Sequence, residues 1–175
     1  KLAAKGVVIL AEELSNIKQE YITNRYFDNV IAQETDKNIL PDLVVTLGGH
    51  IVSKNLKQWL RKFQPQHHWS IRHTGDVADL FQCLTMVWEC NADSAVELLS
   101  QHLPLQIDTN YTDEWRKSIG IMPMKSHSWE LDVLGRVLKV VPDSWNIHVA
   151  HSSMVRDIQK PPSTGCNIHR NRGTN

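Results

Sequence analysis

Cysteine is scarce and unpaired in this 175-residue sequence: Cys83, Cys90 and Cys166 give an odd count with no CxxC pair. That excludes a disulfide framework and leads us to expect reduced thiols in a cytoplasmic protein. A charge excess is missing too, because 19 Lys+Arg balance 19 Asp+Glu. A protein that grips a nucleic-acid backbone is normally clearly basic, so non-specific nucleic-acid binding is excluded as the main role. No apolar run approaches the ~20 residues of a membrane span. The opening residues Lys1 to Lys5 carry no signal-peptide pattern, so we expect neither a span nor a secretory leader. Repeats and low-complexity tracts are absent. What is there is ordinary globular material, 41% hydrophobic and 22% charged, which rules out disordered and fibrous classes.

Metal and nucleophile signatures are equally thin. His67 and His68 are adjacent and point apart on a strand, and His148 and His151 are three apart on a strand, facing opposite sides. Cys83 and Cys90 lack a nearby second pair, so structural zinc is a poor fit. No cysteine sits at an elbow suited to a Cys-His nucleophile. Trp59, Trp69 and Trp88 lie among apolar neighbours and read as core.

The pattern of apolar residues predicts alternating strands and helices. Leu2 to Gly6 reads as a last helical turn with its glycine stop, and Val7 to Leu10 as a short buried strand. Tyr21 to Ile31 is read as helical. Leu43 to Leu47, β-branched and bounded by Pro41 and Gly48, is the clearest strand, with Gly48-Gly49 as its turn. Leu56, Trp59, Leu60 and Phe63 give Ser53 to Phe63 a helical stripe. Trp69 to Ile71 and Leu84 to Trp88 are strands, and Asp93 is expected to cap a helix from about Ser94 to His102. After a connection near residues 120–127, a stripe of Trp129, Val133, Leu134, Val137 and Leu138 predicts a helix that ends before Pro142. Asn146 to Ala150 and Cys166 to His169 are strands, with a helix starting near Met154. This alternation means an α/β fold with a mostly parallel sheet flanked by helices. The chain opens without Met and closes on Gly173-Thr174-Asn175, and we expect a piece of a longer protein.

In open α/β sheets, ligands sit beyond the carboxyl ends of strands. Three clusters fall there. Gly48-Gly49-His50 with Lys54 offers close backbone approach and charge, although the same residues make a plain turn with a solvated lysine. Ser152, Ser153 and Arg156 can hold a carboxylate between a hydroxyl and a guanidinium one turn on, and equally describe a serine cap with an exposed arginine. Arg170-Asn171-Arg172-Gly173 suits an anion site or a solvated loop.

Four segments together resemble one family. Pro41-Asp42-Leu43-Val44-Val45-Thr46-Leu47-Gly48-Gly49-His50-Ile51-Val52-Ser53-Lys54 is similar to the central domain of the menaquinone-pathway MenD family, the 2-succinyl-5-enolpyruvyl-6-hydroxy-3-cyclohexene-1-carboxylate synthases. Leu10 to Asn16, His148 to Arg156 and Asn171 to Asn175 resemble the same family in the same order. The resemblance implies a thiamine-diphosphate and Mg2+ enzyme that decarboxylates 2-oxoglutarate and adds the succinyl carbanion to isochorismate. It implies a Rossmann-like central domain over residues 1–119 lacking its first strand, a linker at 120–127, and the beginning of the diphosphate-binding domain at 128–175. By motif position, Ser152 and Arg156 would hold the succinyl carboxylate, Arg172 would share that pocket, and Lys54 would reach towards isochorismate. Two positions depart from the family pattern: Asn55, where a second basic residue is frequent, and His151 in place of an asparagine. No Gly-Asp segment is followed by Asn-Asn, so we expect no catalytic, cofactor or metal residue here and no turnover by this piece alone. The whole enzyme is expected to be a cytoplasmic homodimer or homotetramer. The rival reading is a non-catalytic α/β module that binds a carboxylated metabolite.

Overall fold

A computed structural model describes residues 1–33, 39–74, 77–104, 109–118, 128–150, 152–161 and 164–170. The first sheet is built from β1 (Leu43–Leu47), β2 (His67–Arg72) and β3 (Met86–Glu89) in the order β1-β2-β3. Both pairings are parallel, with Val45 opposite Trp69 and Ile71 opposite Trp88. A second sheet pairs β4 (Asn146–Val149) with β5 (Asn167–Arg170), also in parallel, with Ile147 opposite Ile168. The parallel α/β architecture expected from the alternation is therefore what the chain adopts.

Helices α1 (Phe27–Gln33), α2 (Lys54–Phe63), α3 (Ala92–His102) and α4 (Thr109–Lys117) accompany the first sheet in sequence. Helices α5 (Trp129–Val140) and α6 (Ser153–Asp157) accompany the second. Their packing divides the interior into two cores. Phe27, Val30, Ile31, Ile39, Trp59, Leu60, Phe81 and Trp115 form the first. Leu138, Val149, Val155, Ile158 and Ile168 form the second, and Leu14 and Val52 reach into it from the first part of the chain. In α5 the predicted stripe splits. Leu134 and Leu138 face that core, whereas Trp129, Val133 and Val137 are exposed.

Several sequence expectations need correction. Val7 to Leu10 forms no strand; its Ile9 amide donates to Thr23 Oγ1 and its Ile9 carbonyl accepts from the Thr23 amide, so its polar groups are satisfied by a loop. Val8 and Leu10 still pack on the first core. The helix expected over Tyr21 to Ile31 starts at Phe27, because the Asn24 side chain accepts from the Tyr26 amide and turns the chain there. Asp93 does not cap α3. Asn91 does, accepting from the Asp93 amide at 2.8 Å. Trp59 is buried as expected, while Trp69 and Trp88 are half-buried and stack on the sheet surface at 5.5 Å. The connection at 120–127 lies outside the described residues. Helix α4 was not anticipated at all.

His67 and His68 do point apart: His67 is exposed and His68 is buried against Phe81. The His68 Nε2 is 3.0 Å from Thr46 Oγ1 on the neighbouring strand. Burial pushes the His68 imidazole below its ordinary value, and the charge of Asp79 opposes that only in part. A histidine depressed in the folded state is charged more readily when unfolded. Its contribution is intact above the unfolded value of about 6.5 and is lost as pH falls below it. Chemical denaturation of the wild type should therefore show stability falling as pH drops below about 6.5, by at most ~1.4 kcal/mol per pH unit from this group. His68→Gln should flatten that segment; an unchanged slope would remove His68 as its source.

Candidate functional site

The carboxyl ends of the two sheets carry a set of cations. On the first sheet, β1 leads through Gly48-Gly49 to His50 and then into α2. Gly48 sits at φ 88°, a left-handed turn that glycine adopts without strain. Helix α2 starts sharply because Ser53 caps it, accepting from the Leu56 amide at 2.9 Å. The Ser53 hydroxyl in turn donates to the Asp28 carboxylate. Lys54 is therefore the first residue of α2 and is exposed, and Lys57 lies one turn along the same face. Arg72 closes β2.

Asn55 has a clear local role. Its side-chain amide donates to Asp28 Oδ2 at 2.9 Å, tying α2 to α1. A residue committed to that contact is not offered to a ligand as a second basic group would be.

On the second sheet, β4 ends at Val149 and the chain turns at Ser152 into α6. Ser152 holds φ 70° and ψ −119°, an unfavourable backbone for a non-glycine residue, and its hydroxyl makes no capping bond. Arg156 lies on α6 and is half-buried, and Arg170 closes β5. Neither arginine belongs to an ion pair among the described residues. Arg172 and His151 lie outside the described residues.

Val52, just ahead of α2, packs against the second core, so the start of α2 lies beside the second sheet. Lys57 is held below its ordinary value first by burial and then by the positive charges of Arg61, Lys54 and Arg156, with Glu12 opposing. His50 is lowered first by partial desolvation and then by Lys57, Arg170 and Arg72. Couplings of this kind act over short range in salt. Arg156 and Arg170 from the second sheet thus share one positive region with Lys54, Lys57 and Arg72 from the first. The structure places Lys54 at the first position of α2, and Ser152 and Arg156 at the start of α6 and within it, with Arg156 adding positive charge at Lys57. It adds Lys57, Arg72 and His50 around them. Lys57 carries a sequence signal, its spacing of three from Lys54. Arg72 carries a weaker one, its place at a strand end. The His50 contribution depends on tertiary packing.

Such a region favours anions, above all carboxylates that meet a guanidinium side-on. It also disfavours any further cation, so an entering anion offsets the part of each lowering that comes from neighbouring positive charge. A hollow of about 270 Å3 lies elsewhere, lined by Gly135, Lys139, Asp143 and Gly165 at the amino ends of β4 and β5. Ligands of open α/β sheets bind at the opposite ends, and charge rather than cavity size marks the site here.

The parallel strands with their accompanying helices place the chain in the class of parallel α/β domains. A family model described as the middle domain of thiamine pyrophosphate enzymes matches residues 2–128, and the chain belongs to that family. The 2-succinyl-5-enolpyruvyl-6-hydroxy-3-cyclohexene-1-carboxylate synthase of Phocaeicola vulgatus is 34% identical over 173 residues, 95% of this chain and 30% of that protein. The synthase of the same name from Bacteroides thetaiotaomicron is 32% identical over 180 residues, 99% of this chain and 32% of that protein. A third, from Desulfotalea psychrophila, is 30% identical over 174 residues, 97% of this chain and 31% of that protein. The chain therefore spans about a third of the length of these curated relatives. No described helix is long and apolar enough to cross a membrane.

Proposed function

We propose that this chain is part of a synthase that decarboxylates 2-oxoglutarate and adds the succinyl group to isochorismate in menaquinone biosynthesis. The observation that carries the reading is the shared positive region at the strand ends, in a chain of this family. Both substrates are carboxylates, and the region is built to receive them.

The whole enzyme requires thiamine diphosphate and Mg2+ on this reading. Among the described residues, no group of three His, Cys, Asp or Glu side chains can hold a metal. The sequence also has no Gly-Asp segment followed by Asn-Asn. We assign cofactor binding to other parts of the whole protein, with no catalytic residue in this chain. This chain supplies orientation and charge. Arg156 and Ser152 hold the distal carboxylate of 2-oxoglutarate and of the succinyl group derived from it, Arg172 joins them, and Lys54 attracts isochorismate. Lys57 and Arg72 raise the local potential without contacting the reacting atoms.

In domain terms, residues 1–119 form most of the central domain, 120–127 a linker, and 128–175 the opening of the diphosphate-binding domain. The exposed apolar stripe of Trp129, Val133, Val137 and Val140 supports the last assignment, since such a face normally packs against a further layer. The whole enzyme is a cytoplasmic homodimer or homotetramer with no nucleic-acid partner. The test is isochorismate consumption by the whole protein with 2-oxoglutarate, thiamine diphosphate and Mg2+. We expect turnover by the whole protein and none by this chain alone. A folded whole protein that binds 2-oxoglutarate without consuming isochorismate would instead favour a carboxylate-binding module.

A further inference from the structure

The two halves of the positive region sit on different sheets, so something must set their separation. One short segment touches both. Residues Glu13–Ser15 form a 3-10 turn flanked by Glu12 and Asn16. The Glu12 carboxylate accepts from the Val52 amide at 2.8 Å and 3.0 Å and from the Ser53 amide at 2.8 Å, at the entry to α2. Glu13 pairs with Arg25, and both side chains are buried, which fastens the turn to the first core region. Leu14 packs into the second core beside Val52.

Asn16 completes the span. Its Oδ1 accepts from the Ile168 amide at 2.7 Å, and its Nδ2 donates to the Ile168 carbonyl at 3.1 Å. One side-chain amide thus satisfies both backbone groups of a β5 residue, as a further strand would. Its backbone sits at φ 52°, a left-handed conformation in which asparagine is favoured over most residues.

We propose that Asn16 and Glu12 are positioning residues: a clasp that fixes the Arg156–Arg170 half of the positive region against the Lys54–Lys57 half. This inference rests on the proposed function for its substrate and on geometry alone for the clasp. Neither residue contacts the ligand. Each acts through the element it holds, Glu12 through the start of α2 and Asn16 through β5. With the clasp released, each half keeps its charges and loses its register with the other. A dicarboxylate then loses affinity while the chemistry that follows binding is spared.

The decisive variant is Asn16→Gly in the whole protein, because glycine adopts φ 52° and only the side-chain amide is lost. Hydrogen exchange of the unliganded protein is read first. Acceleration at Ile168 and also, about tenfold, at Val52 and Ser53 is expected if the turn couples the halves. Acceleration confined to Ile168 would reduce Asn16 to a local edge contact and overturn the clasp. Steady-state kinetics are read second, with KM for 2-oxoglutarate expected to rise about tenfold and kcat to change less than about twofold. An unchanged KM would also overturn the clasp. Glu12→Gln, which keeps one acceptor oxygen, approaches the same coupling from the other end and decides the matter if Asn16→Gly does not fold. A wild type that neither binds nor uses 2-oxoglutarate would defeat the proposed function, and the exchange pattern would then decide the clasp by itself.

Discussion

Replacing Arg156 by alanine in the whole protein should lower kcat/KM for 2-oxoglutarate roughly tenfold to a hundredfold. A hydrogen bond to a charged partner contributes about 1.5–3 kcal/mol, and ~1.4 kcal/mol is one factor of ten. The structure sharpens this expectation. Arg156 is half-buried on the short helix α6 and has no acidic partner among the described residues. Its removal therefore leaves no orphaned carboxylate inside the fold, and unfolding should move little. Arg156 also adds to the positive charge that lowers Lys57. In Arg156→Ala the Lys57 ammonium should titrate at higher pH than in the wild type, a shift measurable by NMR. Unchanged kinetics with both substrates would take Arg156 off the site. A raised KM for isochorismate alone would reassign it to the second substrate.

The largest effect on stability is expected at Trp115. Its side chain is 1% exposed and meets Trp59 edge-on at 6.3 Å. Its carbonyl accepts from Asn24 Nδ2 at 2.9 Å and from Ser118 Oγ at 2.7 Å, so the same residue anchors a fully buried asparagine. Trp115→Ala should cost about 3–5 kcal/mol, a large part of the ~5–15 kcal/mol that holds a typical domain together. The measurement is the denaturation midpoint. Trp115→Phe keeps an aromatic edge against Trp59 and should lose clearly less. Equal losses from the two variants would mean that neither the cavity volume nor the aromatic edge governs this site. A loss below about 1 kcal/mol for Trp115→Ala would show that α4 contributes little to the first core.

Trp115 also shows where the sequence was hard to read. Helix α4 spans Thr109–Lys117 and is mostly polar, so no apolar stripe announces it. What holds it is specific. Trp115 fills the core, Thr112 Oγ1 donates to the Gly6 carbonyl at 2.5 Å, and the Tyr111 hydroxyl reaches the Ile39 carbonyl at 3.2 Å. These partners lie 72 or more residues away in sequence, beyond any local window. The Val7 to Leu10 segment failed in the other direction. Its apolar run suits a strand, but its neighbours in space are loops, and a strand needs a partner to satisfy its amides. By contrast β1, α2, β4 and β5 were legible, because each carries its own periodicity or β-branched content and its own turn residues.

The positive region divides along the same line. Lys54, Ser152 and Arg156 were named from the family motifs, as was Arg172, which lies outside the described residues. Lys57 and Arg72 are ordinary in sequence and become notable only through their neighbours, whereas His50 already stood in the Gly48-Gly49-His50 cluster. Asn55 likewise reads as a lost cation in sequence and as the bridge to Asp28 in space.

By itself, then, the amino-acid order determined the α/β class, the parallel strands with their flanking helices, and the family to which they belong. Those features rest on side-chain period and turn chemistry, which act within a few residues. Only the tertiary structure decided that the start of α2 lies against the second core, through Val52. It also decided that Glu12 to Asn16 joins them, because amide-to-side-chain bonds across 40 and 152 residues leave no trace in local pattern.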